Sequence, residues 1–464
     1  MFGNKIQSVW IEQSEIPNYY QHPICHICKR RMMVKRSKSL SPEPSSSSES
    51  KRPKIVEDGQ TNGRMAHPNM LDLSDDVLLN IMKYLNPQDL MSLSSCCQRL
   101  DQVTQDRTLW ANVDFRSRSM LLHELEKYVK FLQPLTTSLA IRGNQDPEKF
   151  TGLSQSFFNA IKVVCNQLKE LIIEDYCIDG NKIQITDFPT MIEKLSLKGS
   201  MMCHLQSNKS YFFKIDVHMP NLTCLILSNC QWFTPHSLLV ISKIPKLKEL
   251  RLDSCHRLGE CVAYASLATR FGFKTLEILD LRDTALGDSE ICCFSSTKTL
   301  THLYLECPPI LRNAESAEQQ QQQQQQQQER LQRQAAQRPV FEDRNLVQFL
   351  VEDEFLWENF ERCLISDRAI CALGSYVCDR RVQNSIEDVV VIEEDRRIFN
   401  NPHLRTLVVR HYPRVTNHSL VHLALNASSL EYLDVTGTAV TKDGVQMFKS
   451  QKTNVKVVSS FDET

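Results

Sequence analysis

Two hydrophobic periodicities divide the chain. Leu78, Ile81, Met82 and Leu85 fall at i, i+3, i+4 and i+7, a stripe that marks one face of a helix. Ser74 stands where a cap belongs, with Asp75 and Asp76 in the first turn, where negative charge suits the helix dipole. Asn86-Pro87 ends that helix and opens a second, with Asn86 as cap and Pro87 at the first helical position. Leu90, Leu93 and Cys97 continue the apolar face. A third helix follows with Leu100 and Val103 inward, and Leu109 and Trp110 close the unit. Three helices this short bury too little surface to be firmly stable alone. Packing on the chain that follows explains one buried face; apolar side chains on a second face imply a partner.

From Ser138 onward a different pattern repeats. Asn221–Cys230 and Lys246–Cys255 both read L-x-x-L-x-L-x-x-C. The same frame starts at Leu168, Ile192, Leu276, Leu300, Leu404 and Leu430, with a weaker copy at Ser138. Its second apolar position falls at Leu171, Leu195, Leu225, Leu250, Leu279, Leu303, Leu407 and Leu433, in steps of 24 to 30 residues outside one long gap. That is the period of leucine-rich repeats. The expected fold is therefore α/β, a horseshoe solenoid with one strand and one helix per repeat. The fourth and sixth positions share one face of a short strand and point inward. The Cys turns the chain while staying buried. Helices on the convex side are expected after Thr234, Thr416 and Thr441, since Thr is a good N-cap. No repeat buries its apolar face alone; stacked neighbours do so jointly.

The long gap holds LRNAESAE, a run of glutamines and ERLQRQAAQR, helix-favouring residues with no apolar face. Residues 309–364 read as a low-complexity polyglutamine insertion between the strand and helix of a single repeat, with ISDRAICALG from Ile365 as the displaced helix. Asn345–Phe360 is apolar enough to pack somewhere, and Ile386–Glu394 has the pattern of a degenerate strand. Residues 1–68 carry two basic clusters, Lys35–Lys38 and Lys51–Lys54, around a serine-rich tract. With few apolar residues, this tail is expected to be disordered, and the cluster spacing suits a bipartite nuclear import signal as well as a solvated basic tail. Cys25 and Cys28 with His22 and His26 make half a zinc site, without a second CxxC pair to complete four ligands. No metal or other cofactor is assigned. The resulting division is 1–68 tail, 69–115 helical unit, 116–308 repeats, 309–364 insertion and 365–464 repeats.

Composition narrows the function. The formal net charge is −1, against the basic surface that nucleic-acid binding needs. No stretch approaches the ~20 apolar residues of a membrane span, and the first residues lack a signal-peptide layout. These features predict a protein of the nucleus or cytoplasm with reduced cysteines. GxSxG, HExxH and a phosphate-cradling glycine loop are all missing, so no enzyme is expected.

Leu73 to Leu100, followed by Asp106-Arg-Thr-Leu-Trp110, resembles an F-box. The aliphatic stripe, Tyr84-Leu85, Asp89-Leu90, Cys97, Arg99 and Trp110 match the motif; Ser74 replaces the usual Pro, and Gln98 separates Cys97 from Arg99. With the repeats, the chain resembles the F-box/leucine-rich-repeat substrate receptors of SCF-type cullin–RING ubiquitin ligases. The resemblance implies that Leu73, Leu78, Ile81, Leu85, Leu90 and Leu93 contact a Skp-type adaptor, which joins a cullin and a RING protein. It implies that the repeats hold the protein to be ubiquitinated for proteasomal degradation. Arg251, Asp253, Asp280, Arg282, Tyr304, Arg410 and Tyr432, on the concave strand face, are the candidate substrate contacts; with Glu249, Asp283, His302, Glu306, Thr406, Val408 and His411, which also face outward in the frame, they make a mixed, acid-leaning patch. A repeat scaffold acting without ubiquitin transfer is the alternative.

Overall fold

The computed structural model describes residues 70–144, 152–205, 210–259, 261–312, 365–377, 397–399 and 401–462. The basic tail with Cys25 and Cys28, the glutamine run, Asn345–Phe360 and Ile386–Glu394 lie outside these residues. Two compact units divide the chain at Leu73, and the second, Ser74–Thr464, holds both the helical motif and the repeats.

The second unit opens with helices α1 (Asp75–Met82), α2 (Pro87–Ser94) and α3 (Gln98–Thr104), then a 3-10 turn at Arg107–Trp110. Asn86 caps α2 as its sequence predicts, accepting the Asp89 N–H at 2.8 Å. Ser74 occupies the cap position of α1, but its hydroxyl makes no capping bond there; the two acidic residues of the first turn remain as the favourable term. Leu78, Met82, Leu90, Leu100 and Val103 form the core of the unit. Trp110 is 1% exposed, donates its indole N–H to the Thr104 carbonyl at 2.7 Å and stacks on Phe131 with centroids 4.8 Å apart. Thr136 donates to the Trp110 carbonyl at 2.8 Å, so the end of the helical motif is joined to the first repeat.

Among the described residues, eleven strands form one parallel sheet: β1 (Asn112–Asp114), β2 (Ser138–Arg142), β3 (Glu170–Glu174), β5 (Lys194–Ser196), β7 (Cys224–Ile226), β8 (Glu249–Arg251), β9 (Ile278–Asp280), β10 (His302–Glu306), β13 (Thr406–Arg410), β14 (Tyr432–Asp434) and β15 (Lys456–Val458). Two short pairs lie apart, β4 (Cys177–Asp179) with β6 (Met201–Cys203) and β11 (Ser375–Val377) with β12 (Arg397–Phe399). Strand β1 begins before residue 116, so the sheet starts inside the segment read as the helical unit.

Register makes the repeat physical. Leu171, Leu195, Leu225, Leu250, Leu279, Leu303, Leu407 and Leu433 are paired in sequence across the sheet, each with no exposed area. The sixth positions, such as Leu197, Leu252, Leu281 and Leu305, are equally buried. Two residues after that position the backbone turns with positive φ at Asp175, Gly199, Asn229, Ser254, Asp283, His411 and Gly437. Cys230 and Cys255 follow and are fully buried, their thiols directed to the carbonyls of Leu197 and Leu227 at 3.1 Å. Burial pushes the Cys230 thiol up to about 12, so it stays a donor. A cysteine fits this site because it is a small hydrophobe that still satisfies a carbonyl.

Thr416 and Thr441 cap the helices Asn417–Asn426 and Lys442–Gln451, accepting N–H groups at 3.2 and 3.1 Å. Thr234 does not cap: its hydroxyl lies 3.0 Å from His236 Nδ1, and the helix Ser237–Ile241 starts later. Strand β10 pairs directly with β13, while Asp367–Ile370 supplies the helix between the helices Asp288–Phe294 and Asn417–Asn426. Pro309–Arg312 is a short helix with Leu311 buried, so the first residues of the segment read as an insertion are packed.

Candidate functional site

The candidate residues lie on two surfaces, one on α1 and one on the open face of the sheet. On α1, Val77 and Ile81 are 43% and 45% exposed, and Tyr84, just past its end, is 81% exposed. The i, i+4, i+7 spacing puts the three on one side. Lys83 stands 5.2 Å from the Tyr84 ring centroid, a polar edge to an apolar strip. On the other side, Arg99 of α3 pairs with Asp75 at 2.9 Å, both partly exposed.

This geometry separates the six residues singled out in the sequence. Leu78 and Leu90 are 1% and 2% exposed and hold the helices together, which corrects their expected placement at a partner surface. Leu73, Leu85 and Leu93 are half-buried, and Ile81 is exposed. The i, i+3, i+4, i+7 stripe also needs correction: α1 turns Leu78 and Met82 inward and leaves Ile81 in solvent, because α2 and α3 cover only one side of a helix this short. Val77 and Tyr84 complete the exposed strip. Their signal in the sequence was the excess of apolar residues over what one face accommodates.

On the sheet, register places Arg251 beside Asp280 and Asp280 beside Tyr304. Arg282 closes over Asp280, with Nε and Nη2 at 2.9 and 2.6 Å from its two oxygens. The carboxylate is thereby covered, and Asp280 is 3% exposed; it braces Arg282 and offers no surface to a partner. The Arg282 guanidinium also lies 5.7 Å from the Tyr304 centroid, and His302 stacks on Tyr304 at 6.4 Å. Arg251 pairs with Glu249 at 2.5 Å, and Asp253 accepts from the Ser228 hydroxyl at 2.6 Å. Further along, Arg410 donates from Nε and Nη2 to Asp434 at 2.8 and 2.6 Å, and Lys456 stands 5.9 Å from the Tyr432 ring. Asp434, fully buried, carried no signal in the sequence because it lies outside the frame's apolar positions.

The structure therefore brings Arg251, Arg282 and Tyr304 together and sets Arg410 and Tyr432 on neighbouring strands. Val408, expected to face outward, is 5% exposed between its neighbours Tyr304 and Asp434. The acid-leaning character of the face changes as well. The carboxylates of Asp280 and Asp434 lie beneath, while the side chains of Arg251, Arg282 and Arg410 keep 45%, 37% and 37% of their exposure. The half-exposed groups of this face include three guanidinium groups, each already held by a carboxylate, and the rings of Tyr304 and Tyr432.

The family model described as F-box-like matches residues 71–116. F-box/LRR-repeat protein 12 of Mus musculus is 26% identical over 232 residues, 49% of this chain and 68% of that protein. F-box/LRR-repeat protein 12 of Homo sapiens matches at the same identity and coverage. A crystal structure of a TLR13–ssRNA13 complex aligns over 77% of this chain and 34% of that one, with 12% identity and a TM-score of 0.28, too slight a likeness to carry fold or function across. A helical motif under the F-box-like match with a leucine ladder behind it is the arrangement by which this chain is similar to the F-box/leucine-rich-repeat proteins.

Proposed function

We propose that the chain is the substrate-recognition subunit of an SCF-type ubiquitin ligase. The observation that carries this reading is the exposed strip Val77, Ile81 and Tyr84 on an F-box-like unit whose own core is already filled. A Skp-type adaptor covers that strip, with Leu85 and Leu93 at its margin, and links the chain to a cullin and a RING protein. The open face of the sheet holds the protein to be ubiquitinated, through Arg251, Arg282, Tyr304, Arg410 and Tyr432, with Asp253 bracing the strand ends. The chain performs no bond chemistry itself; it raises the effective concentration of a substrate lysine beside a charged ubiquitin carrier. It acts in the nucleus or cytoplasm.

The test is capture of a purified Skp-type adaptor by the full chain and by Ile81→Asp. A charge placed in an apolar interface costs several kcal/mol, on the order of a thousandfold in affinity. Wild type is expected to retain the adaptor and Ile81→Asp to lose it with its thermal unfolding unchanged. Equal retention by both, or by neither, would instead favour a repeat scaffold that works without ubiquitin transfer.

A further inference from the structure

Cys177 and Cys203 lie in β4 and β6, the short parallel pair that follows β3 and β5. Their Sγ atoms are 3.1 Å apart, and both residues are half-buried. This differs from the repeat cysteines, since Cys230 and Cys255 are fully buried and turned to backbone carbonyls. Cys177 and Cys203 turn to each other across two consecutive repeats, and each residue keeps part of its surface exposed. Asp179, paired in register with Cys203, is paired with Lys182 at 3.4 Å, which compensates its charge beside the sulfurs, and lies 3.3 Å from His204 Nδ1.

We infer that Cys177 and Cys203 are a dithiol modification site that a peroxide-class oxidant converts to a disulfide. One thiolate attacks a peroxide oxygen and breaks the O–O bond, giving a sulfenic acid and hydroxide. The second thiolate attacks that sulfur and breaks its S–O bond; the departing hydroxide takes up a proton and leaves as water. Each sulfur gives up one electron, and the peroxide is reduced to two molecules of water. Register sets Cys177 opposite Met201 rather than Cys203, so the two cysteines are diagonal neighbours. Closure to a bond of about 2 Å draws the sulfurs together by roughly 1 Å. Cys203 ends β6, so that movement falls on a strand end. The bond spans 26 residues of chain and ties one repeat to the next. This site stands apart from the ubiquitin-ligase reading and survives its failure.

The test uses the full chain, reduced, exposed to hydrogen peroxide, alkylated and digested without reduction. A peptide linking Cys177 to Cys203 is expected, cleaved by a thiol reductant and formed on the order of tenfold sooner than oxidation of buried Cys224 or Cys261. A second arm offers phenylarsine oxide, which takes two neighbouring thiols, and reads protection of Cys177 and Cys203 from alkylation. In Cys203→Ser the sulfenic acid at Cys177 has no resolving thiol and is expected to be trapped by dimedone. Recovery of both residues as alkylated thiols while other cysteines oxidise, or separate over-oxidation of each with no linked peptide, overturns the proposal. If Cys203→Ser fails to fold, the wild-type peptide map decides alone.

Discussion

Asp367 accepts both the amide and the hydroxyl of Thr416, at 2.8 and 2.6 Å, and the Ser419 amide at 3.2 Å. A carboxylate of one repeat thus fixes the first turn of the next helix. Asp288 does the same for Ser366, through its amide at 2.7 Å and hydroxyl at 2.5 Å; the Asn417 amide makes the related link to Thr441, accepting its backbone N–H and donating to its hydroxyl, both at 2.9 Å. The bonds from Ser366 to Asp288 tie the cap of the helix Asp367–Ile370 to the helix Asp288–Phe294 of the repeat before it. Asp367→Ala leaves several donors without their acceptor and is expected to cost about 2 kcal/mol. Asp367→Asn, which keeps one accepting oxygen, should lose less. Denaturant midpoints at constant slope check both, and an Ala variant as stable as wild type would remove the cap ladder from the account.

Asp367 and Asp434 are expected to set the acid limit of the fold. Burial works against ionised Asp367, but bonds from Ser419 and Thr416 outweigh it and hold its pKa below the ordinary value. Asp434 is lowered in the same way, with burial opposed by Arg410 and Thr436. A lowered folded-state pKa contributes stability that is present above the unfolded value, near about 4, and is lost as pH falls toward the folded one. Stability is therefore expected to be flat through neutral pH and to fall below about pH 4. Asp367→Asn should lower the plateau and flatten the fall, in denaturant titrations taken at a series of pH values.

The leucine frame made the repeats legible because a strand buried against a helix must place its apolar side chains at fixed alternate positions. The inward leucines, the buried cysteines and the break before Ile365 all follow from that constraint. What faces the open side obeys no such rule. Asp280 and Arg282 are spaced as two outward residues, yet one folds over the other and buries it, which depends on the neighbouring strand supplying Tyr304. Ile81 shares a stripe with Leu78 and Met82 yet stands in solvent for a related reason: apolar spacing identifies a helix and not which of two apolar sides its neighbours cover. The pairing of Asp367 with Thr416 links residues 49 apart, so no local pattern announces it.

Arg410 and Asp434 illustrate how the open face is held. Asp434 is fully buried, while the Arg410 side chain is 37% exposed. Removing the arginine leaves a buried carboxylate with only the Thr436 amide and hydroxyl, at 3.0 and 2.7 Å. Arg410→Met is expected to destabilise by about 2 kcal/mol, less than a fully buried pair because water still reaches the site. Adding Asp434→Asn should recover part of that loss, since the uncompensated charge goes with it. A double-mutant cycle read by chemical denaturation measures the coupling; strictly additive losses would mean the two side chains act independently.

Leu90 and Ile81 separate the two roles of the helical unit. Leu90 is 2% exposed in the core of the helical unit, so Leu90→Ala should cost about 2–5 kcal/mol through lost burial and the cavity left behind. Ile81 is 45% exposed, and Ile81→Ala should change stability by no more than about 0.5 kcal/mol. Binding of a Skp-type adaptor should respond in the opposite order at temperatures where both variants are folded, with Ile81→Ala the weaker binder. Calorimetric unfolding gives the first comparison and titration of the adaptor the second. Were Ile81→Ala the more destabilised of the two, the outer strip would belong to the core, and α1 would offer no apolar face for a partner to cover.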